Sequence, residues 1–417
     1  MQYFIISIFL ILFFYISYKN FYKSLFLFLL LTPVYLIRFK IFSIPTTFLE
    51  MMFFIIFINW ILKYKNIIFI KLKNFYKQNK IFFYSITIFL LSSTFAILIS
   101  SNIESALGEW KAFYIEPVLF FIILITSIKT KKELNNLFFA LILSGLLTSI
   151  FGIYQHFTGF FVPYSFWANN ETYRITAWYG FPNAVGHILA TLFPISIYLI
   201  ISNFKKNNFK TIISLLFIPL AILAIFFAKS TGALIGILAN TFLLLIYFKK
   251  TRLITLIFGF TLFSIFIFLP INNPIKQELL FQDRSGQIRL NMWNETSKFL
   301  KTEPIFGAGL TSYSEKIIPF HGQVNGENIE IFHHPHNIFL TMWINLGIFG
   351  LISFIFINLY CFYKYFKNKN YLVFFILLSL VSFLVMGIVD SPYIKNDLAF
   401  IYWFILSLFF IKYEQNS

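Results

Sequence analysis

Three histidines fall within four positions, His333, His334 and His336, in the run IFHHPHNIFLTMWINLGIFG, and His336 and Asn337 open an apolar stretch that continues to Tyr360, which predicts that they occupy the first outer turn of a membrane helix. An imidazole with an ordinary pKa near about 6.5 can take a proton at neutral pH, which makes His336 a candidate general base, with Asn337 beside it. The alternatives are histidines that cap a helix, face water or hold a metal ion, although no HExxH pair or carboxylate facial triad accompanies them. Upstream, DRSGQIRLNMWNETSKFL places Arg284 and Arg289 ahead of an amphipathic helix. A planar guanidinium makes paired hydrogen bonds to phosphate oxygens, and these strengthen near a low-dielectric surface, so a diphosphate is a natural guest. Otherwise these arginines touch lipid head groups or pair with Asp283, Glu295 and Glu303. Gly307 and Gly309, in EPIFGAGLTSYSEKI, suit either a phosphate-cradling turn or a tight turn after a helix.

Two more cations lie elsewhere. Lys229, in FFAKSTGALIGIL, sits between two apolar runs with almost no loop, so it either serves a site or snorkels to head groups. Arg174 lies in WANNETYRITAWYGFPNAVGHILATLFPI, where Pro182 and Asn183 suit the start of a helix. The aromatics of that segment, Trp167, Tyr173, Trp178 and Tyr179, fit an interfacial belt or a surface that stacks on sugar rings.

The elements that must position these groups are membrane helices. Of 417 residues, 59% are hydrophobic and only 12% charged, and the mean hydropathy of +0.79 is far from that of soluble domains. Apolar runs approaching the roughly 20 residues that cross a hydrocarbon core recur from end to end. They fall at 3–18, 23–37, 45–62, 81–99, 111–127, 137–155, 183–202, 211–227, 231–247, 253–270, 336–362, 370–389 and 397–412. The expectation is an all-α polytopic bundle of twelve or thirteen helices, the short 23–37 run with Pro33 being the uncertain one, and no open sheet in lipid. Insertion, and not secretion, is the expected fate. The net charge of +17 does not mark a nucleic-acid groove, because the lysines punctuate the apolar runs and do not cluster on one face. A single cysteine, Cys361, excludes an intrachain disulfide.

Lysine placement sets the orientation. The 63–80 loop is the most basic and is assigned to the cytoplasm; alternation then puts Lys129/Lys131/Lys132, Lys205/Lys206/Lys210, Lys249/Lys250/Arg252 and Lys364/Lys367/Lys369 on the same side. Segments 100–110, 156–182, 271–335 and 390–396, with Lys229, fall on the outer face. The whole of 1–417 reads as one membrane domain whose 271–335 loop carries part of the site.

RLNMW followed by EPIFGAGLTSY, then His336 with Gly347 in an HN-start, LG-end helix, resembles the O-antigen ligase and O-antigen polymerase superfamily of bacterial membrane glycosyltransferases. The resemblance extends to RITAWYGFPNAVGHILA, YLIRFKIFSIPTTFLE, ALGEWKAFYIEPVLF and DSPYIKNDLAFIYW. It implies a GT-C-like architecture in the bacterial inner membrane, with the site on the periplasmic or extracellular side. It also implies transfer of a glycan from a polyprenyl (undecaprenyl) diphosphate carrier to a glycan, lipid or protein acceptor, with inversion and without metal or other cofactor. His336 matches the catalytic base and Arg289 the arginine that meets the diphosphate; Arg174, Arg284, Lys229 and Asn337 are expected to bind substrate. The family's Ser-Arg-Gly step is Ser230-Thr231-Gly232 here, and Lys229 is the candidate for the missing charge. A polymerase that extends the carrier-linked glycan and a protein O-oligosaccharyltransferase use the same chemistry. A transporter or flippase would instead concentrate charged, broken helices near mid-membrane.

Overall fold

Apolar runs shielded from water must satisfy their own backbone N–H and C=O groups, and a helix does so within one segment. The computed structural model describes residues 2–41, 44–169, 173–203 and 209–411 and forms these runs into helices. In chain order they are α1 (Gln2–Lys19), α2 (Phe21–Leu30), α3 (Phe48–Gln78), α4 (Lys80–Leu98), α5 (Ile103–Glu109), α6 (Glu116–Ser127), α7 (Lys131–Thr158), α8 (Ser165–Ala168) and α9 (Pro182–Asn203). Then follow α10 (Phe209–Phe227), α11 (Thr231–Tyr247), α12 (Lys249–Phe268), α13 (Pro274–Leu279), α14 (Arg284–Thr302), α15 (Tyr313–Lys316), α16 (Ile338–Asn368), α17 (Tyr371–Met386) and α18 (Asn396–Ser407). Each expected apolar run is helical over most of its length, and eight of the described helices are long and apolar enough to cross a membrane by length and composition. The protein is an all-α, multi-pass membrane protein.

Several boundaries differ from the sequence reading for local reasons. The run expected from residue 45 begins as a strand: β1 (Arg38–Ile41) pairs antiparallel with β2 (Ile44–Thr47). α3 starts only at Phe48, where the Thr47 hydroxyl accepts from Glu50 N and the Glu50 carboxylate accepts from Thr47 N. α3 then runs for 31 residues, so Lys63, Lys65, Lys71, Lys73 and Lys77 ride on its extension and not in a loop. At 1.5 Å per residue that is about 46 Å, more than a hydrocarbon core of about 30 Å. α2 stops at Leu30, and Pro33 falls in the 3-10 turn Thr32–Leu36 that follows. Lys205, Lys206 and the end of the final run at residue 412 lie outside the described residues.

α18 is buried at every position and α9 at most, so these two form the centre. α9 packs against α7, α10, α11 and α17, α18 packs against α6, and α16 lies along α4. α12 is the opposite case: only Thr255 is buried, and the helix leans on α11.

The connections divide between two ends of the bundle, as lysine alternation requires. At one end the Lys71 ammonium donates to Thr126 O and the Lys364 ammonium to Asn79 Oδ1. At the other, Ser100 Oγ donates to Leu310 O, Arg174 Nε to Ala228 O, and His336 meets Asp390.

That second end is locked by a break in α16. Gly347 has φ 72° and ψ −178°, and a Cβ there would lie 2.2 Å from Ile305 O. Ile348 N donates to Ile305 O and Ala308 N to Ile344 O, so the segment after α14 is pinned into the break. Gly307 and Gly309 serve this docking: added Cβ atoms would meet Ile344 O at 2.4 Å and Ala96 O at 2.8 Å. Their backbone grips helices; neither glycine lines the cavity described below.

Candidate active site

Asp390, in the loop between α17 and α18, is 6% exposed and lies at the centre of a hydrogen-bond network. Its Oδ1 accepts from Ser391 N at 2.8 Å and meets His336 Nδ1 at 2.8 Å. Its Oδ2 accepts from Asn183 Nδ2 at 2.8 Å and lies 3.3 Å from His187 Nε2. Burial by itself would raise the carboxyl pKa; the charges and hydrogen bonds of His336 and His187 outweigh it and hold the group well below the usual carboxylate range.

His336 stands one residue ahead of the helix cap, not in the first turn of α16. Asn337 is the cap: its Oδ1 accepts from Phe339 N and Leu340 N, while its Nδ2 donates to Ile388 O. His336 has φ 47°, a left-handed posture uncommon for a side-chain-bearing residue, and this turns the ring toward Asp390. With Nδ1–H given to the carboxylate, Nε2 is left as the nitrogen able to accept a proton. His334 packs edge-on to His336 at 4.7 Å, and burial, then the neighbouring His336, pushes its pKa down to about 3, so it stays neutral. His333 is exposed. The donor atoms of His334, His336 and Asp390 lie within 4.8 Å of one another, a spacing that could hold a metal ion, and His336 Nδ1 and Asp390 Oδ1 are in hydrogen-bond contact at 2.8 Å.

Beside Asp390 opens a cavity of about 230 Å³ whose wall includes Arg174, His187, Lys229, Glu278 and Arg289. Arg174 holds the turn before α11: Nε donates to Ala228 O at 2.8 Å, and Nη2 donates to Lys229 O at 3.1 Å and to Asn183 Oδ1 at 2.9 Å. Burial, and then the proximity of Arg289, lowers its pKa to about 10, which leaves it charged at neutral pH. Arg289, on α14, donates from Nε to Val389 O at 2.9 Å and from Nη1 to Ser285 Oγ at 2.6 Å. Lys229 has φ 47° and opens onto the cavity. The start of α11 can come this close to α9 because residue 186 is glycine; a Cβ there would lie 2.4 Å from Ser230 Oγ.

The cavity is not uniformly cationic. Asp283 lines it too, but its oxygens accept from Ser285 N and Gly286 N as the cap of α14. Glu278 accepts a hydrogen bond from the Thr231 hydroxyl at the rim.

The structure thus gathers Arg174, Lys229 and Arg289 around one cavity, with His336 reaching it through Asp390. Arg284 is not brought there; it occupies the first turn of α14, exposed, and pairs with Glu327 at 2.7 Å over a separate shallow cleft. Glu295 neutralises neither arginine: it binds Asn291 Nδ2, Gly322 N and His321. Of the loop aromatics, Tyr179 is buried and Trp178 stacks on Phe151 at 5.2 Å, whereas Trp167 packs with the exposed rings of Tyr164 and Phe181.

Sequence reasoning did not single out Asp390 or His187 and took Asn183 only as a cap. Asn183 and His187 are four residues apart, the helical spacing that puts both on one face, and that was the available signal. Asp390 enters the sequence reading only as the first residue of DSPYIKNDLAFIYW, where nothing local gives it a role.

Residues 215–355, which include Lys229, Arg289 and His336, match the family described as O-Antigen ligase. A protein of Rickettsia conorii named "Putative polysaccharide ligase" is 31% identical over 239 residues, covering 53% of this chain and 56% of the relative. A Rickettsia felis protein of the same name is 31% identical over 183 residues, 42% of this chain and 43% of the relative. An "Uncharacterized protein" of Haemophilus influenzae is 26% identical over 259 residues, 57% and 61% of the two chains. The chain spans about half the length of the curated relatives it matches. The similarity to the O-antigen ligase superfamily read from the sequence is borne out.

Proposed function

We propose that this O-antigen ligase-like membrane enzyme takes a glycan from a polyprenyl diphosphate carrier, undecaprenyl diphosphate in a bacterial cytoplasmic membrane, and joins it to an acceptor hydroxyl. The observation that carries the proposal is the convergence of Arg174, Lys229 and Arg289 on a cavity walled by Asp390, the carboxylate bonded to His336.

His336 Nε2 removes the proton of the acceptor hydroxyl as its oxygen attacks the anomeric carbon from the side opposite the diphosphate, which inverts that carbon. A positioned base of this kind contributes about 10²–10⁴-fold. Asp390 fixes the ring tautomer and stabilises the imidazolium as it forms. Negative charge grows on the departing diphosphate, and fixed cations facing it lower the barrier. These side chains supply the base and the countercharge, so the reading assigns no step to a metal ion. The lipid tail stays among apolar helix faces while the head group enters the cavity. Lysine distribution supports a cytoplasmic position for the opposite end of the bundle and an outer position for the site.

The test is reconstitution of the protein in liposomes with a polyprenyl diphosphate-linked oligosaccharide and candidate acceptors. Release of polyprenyl diphosphate with an inverted linkage in the product, lost in His336→Ala, is expected; no transfer by the wild-type protein rejects the reading. Deletion of the gene separates the acceptors: accumulated single lipid-linked units indicate a polymerase, and accumulated long polymer indicates a ligase.

A further inference from the structure

A second cavity, which the reaction proposed above does not use, lies against the other side of α14. It is a polar cleft of about 200 Å³, lined by the start of α14 and by the segment around residue 325. Helical register makes the first turns of α14 a wall common to both cavities. Arg284, Gln287 and Ile288, three and four residues apart, face the cleft, whereas Ser285 and Arg289 face the cavity beside Asp390. The turn before the helix continues the division, with Phe281 lining the cavity and Gln282 the cleft.

Opposite this wall stands a two-residue hairpin. Val324 and Glu327 exchange both backbone hydrogen bonds at 3.0 Å, and Asn325 and Gly326 between them have φ 52° and 78°, the left-handed pair that Asn-Gly favours. Asn325 Nδ2 donates to Gln287 Oε1, and Arg284 pairs with Glu327, so the hairpin is tied to α14. Polar groups are left over: among the described residues the Gln282 side-chain amide, Asn325 Oδ1 and Glu327 Oε1 have no hydrogen-bond partner. The Arg284–Glu327 pair cancels its own charge, unlike the three cations of the other cavity. What remains is a neutral mixture of amide donors and acceptors beside apolar Ile288, Val324 and Ile329. Hydroxyl groups, which both donate and accept, suit that mixture better than a second phosphate does.

We infer that this cleft is a saccharide subsite for the donor, holding a sugar beyond the one that leaves the diphosphate. This rests on the reaction proposed above. With the diphosphate against Arg289, a glycan that continues over the start of α14 enters the cleft across a wall one helix thick, about 10–12 Å. The acceptor meets His336, which joins the cavity only through Asp390, so the cleft belongs with the donor.

The experiment compares two donors with the reconstituted full-length protein: polyprenyl diphosphate carrying the complete oligosaccharide, and polyprenyl diphosphate carrying only its first sugar. The wild-type protein should prefer the complete donor in kcat/KM. Gln282→Ala removes an amide that has no partner in the protein, so a purely structural role would leave that preference unmoved. It should instead shrink the preference about three- to tenfold, through KM, the effect of one or two neutral hydrogen bonds. Gln287→Ala should act in the same direction. Saturation-transfer NMR with the free reducing oligosaccharide reads the contact without turnover. Sugars beyond the first should receive saturation from the wild-type protein and lose most of it in Gln282→Ala. Equal kcat/KM for the two donors in the wild-type protein, or a preference that both variants keep, overturns the inference. A preference that follows the length of the acceptor glycan, and not of the donor, overturns it too and gives the cleft to the acceptor. Transfer from neither donor by the wild-type protein overturns the underlying reaction as well, so the two failures are told apart.

Discussion

Asp390 and His336 are 54 residues apart in the chain, and their side chains meet at 2.8 Å. The contact fixes which imidazole nitrogen is free. Asp390→Asn preserves the shape but not the charge, and an amide can present its N–H to Nδ1, favouring the wrong tautomer. The expected loss in kcat is about 10²–10⁴-fold with insertion intact, and His336→Ala should abolish transfer. Near-normal rates in either variant reject the dyad. The depressed Asp390 pKa also contributes stability that is present above the ordinary carboxylate pKa of 3.8 and is lost as pH falls through the lower folded value. Acid unfolding of Asp390→Asn should therefore be less steep than that of the wild-type protein.

For Lys229, which lines the cavity, the proposed reading puts an anion opposite its ammonium, so charge should matter more than shape. Lys229→Arg is expected to retain most activity and Lys229→Met to lose at least about tenfold in kcat/KM for the donor, the effect of about 1.4 kcal/mol. Equal activity in both variants removes Lys229 from the site.

Arg174 holds two backbone carbonyls and the Asn183 side chain in one fork. Lysine cannot reproduce that geometry. Arg174→Lys should cost about 1–3 kcal/mol in stability and raise donor KM, read by thermal unfolding and donor titration. A wild-type melting curve would show that the fork does not hold the turn before α11.

The lowered pKa of Arg174, about 10, means that burial and Arg289 oppose its charge in the folded protein. For a base, this sign is a penalty present at neutral pH and relieved as pH rises through the folded value. A bound anion should relieve it too. Inorganic diphosphate at 100 times its Kd is expected to add about 2.7 kcal/mol of stability, less at high salt, and less again in Arg289→Ala. A melting temperature indifferent to diphosphate counts against an anion site.

Gly347→Ala introduces a Cβ 2.2 Å from Ile305 O at a φ of 72°. The strained backbone costs about 1–3 kcal/mol before any clash is counted. Loss of the interlock should lower the melting temperature and loosen the segment after α14, detectable as faster hydrogen exchange at Ala308 and Ile348. Wild-type exchange at both amides would show that the break does not depend on glycine.

The helices were legible because length and hydropathy are local, and a backbone in lipid has few alternatives to a helix. Lysine alternation assigned 156–182, Lys229 and 271–335 to one face, and Arg174, Lys229, Glu278 and Arg289 from those segments line one cavity. Local chemistry failed where competing local signals won: the Thr47–Glu50 capping box delayed α3, and the apolar character of 336–362 by itself gave no sign of the break at Gly347, which falls where the family resemblance ends a helix at Leu346-Gly347. Residue type alone does not separate Arg284 from Arg289; the family resemblance singles out Arg289, and both were expected to meet substrate. They are five residues apart on α14, and only a folded helix shows that one faces the cavity and the other Glu327.

By itself the sequence determined a multi-pass helical protein with most of its lysines expected at one end and Arg174, Lys229, Arg289 and His336 expected at the other, since each of those properties belongs to a short stretch and its spacing. Only the tertiary structure decided that Asp390, from a loop late in the chain, would be the carboxylate shared by His336 and His187 beside Arg174 and Arg289. That meeting depends on how α9, α11, α14 and α16 pack, and no window of sequence contains the contacts that set it.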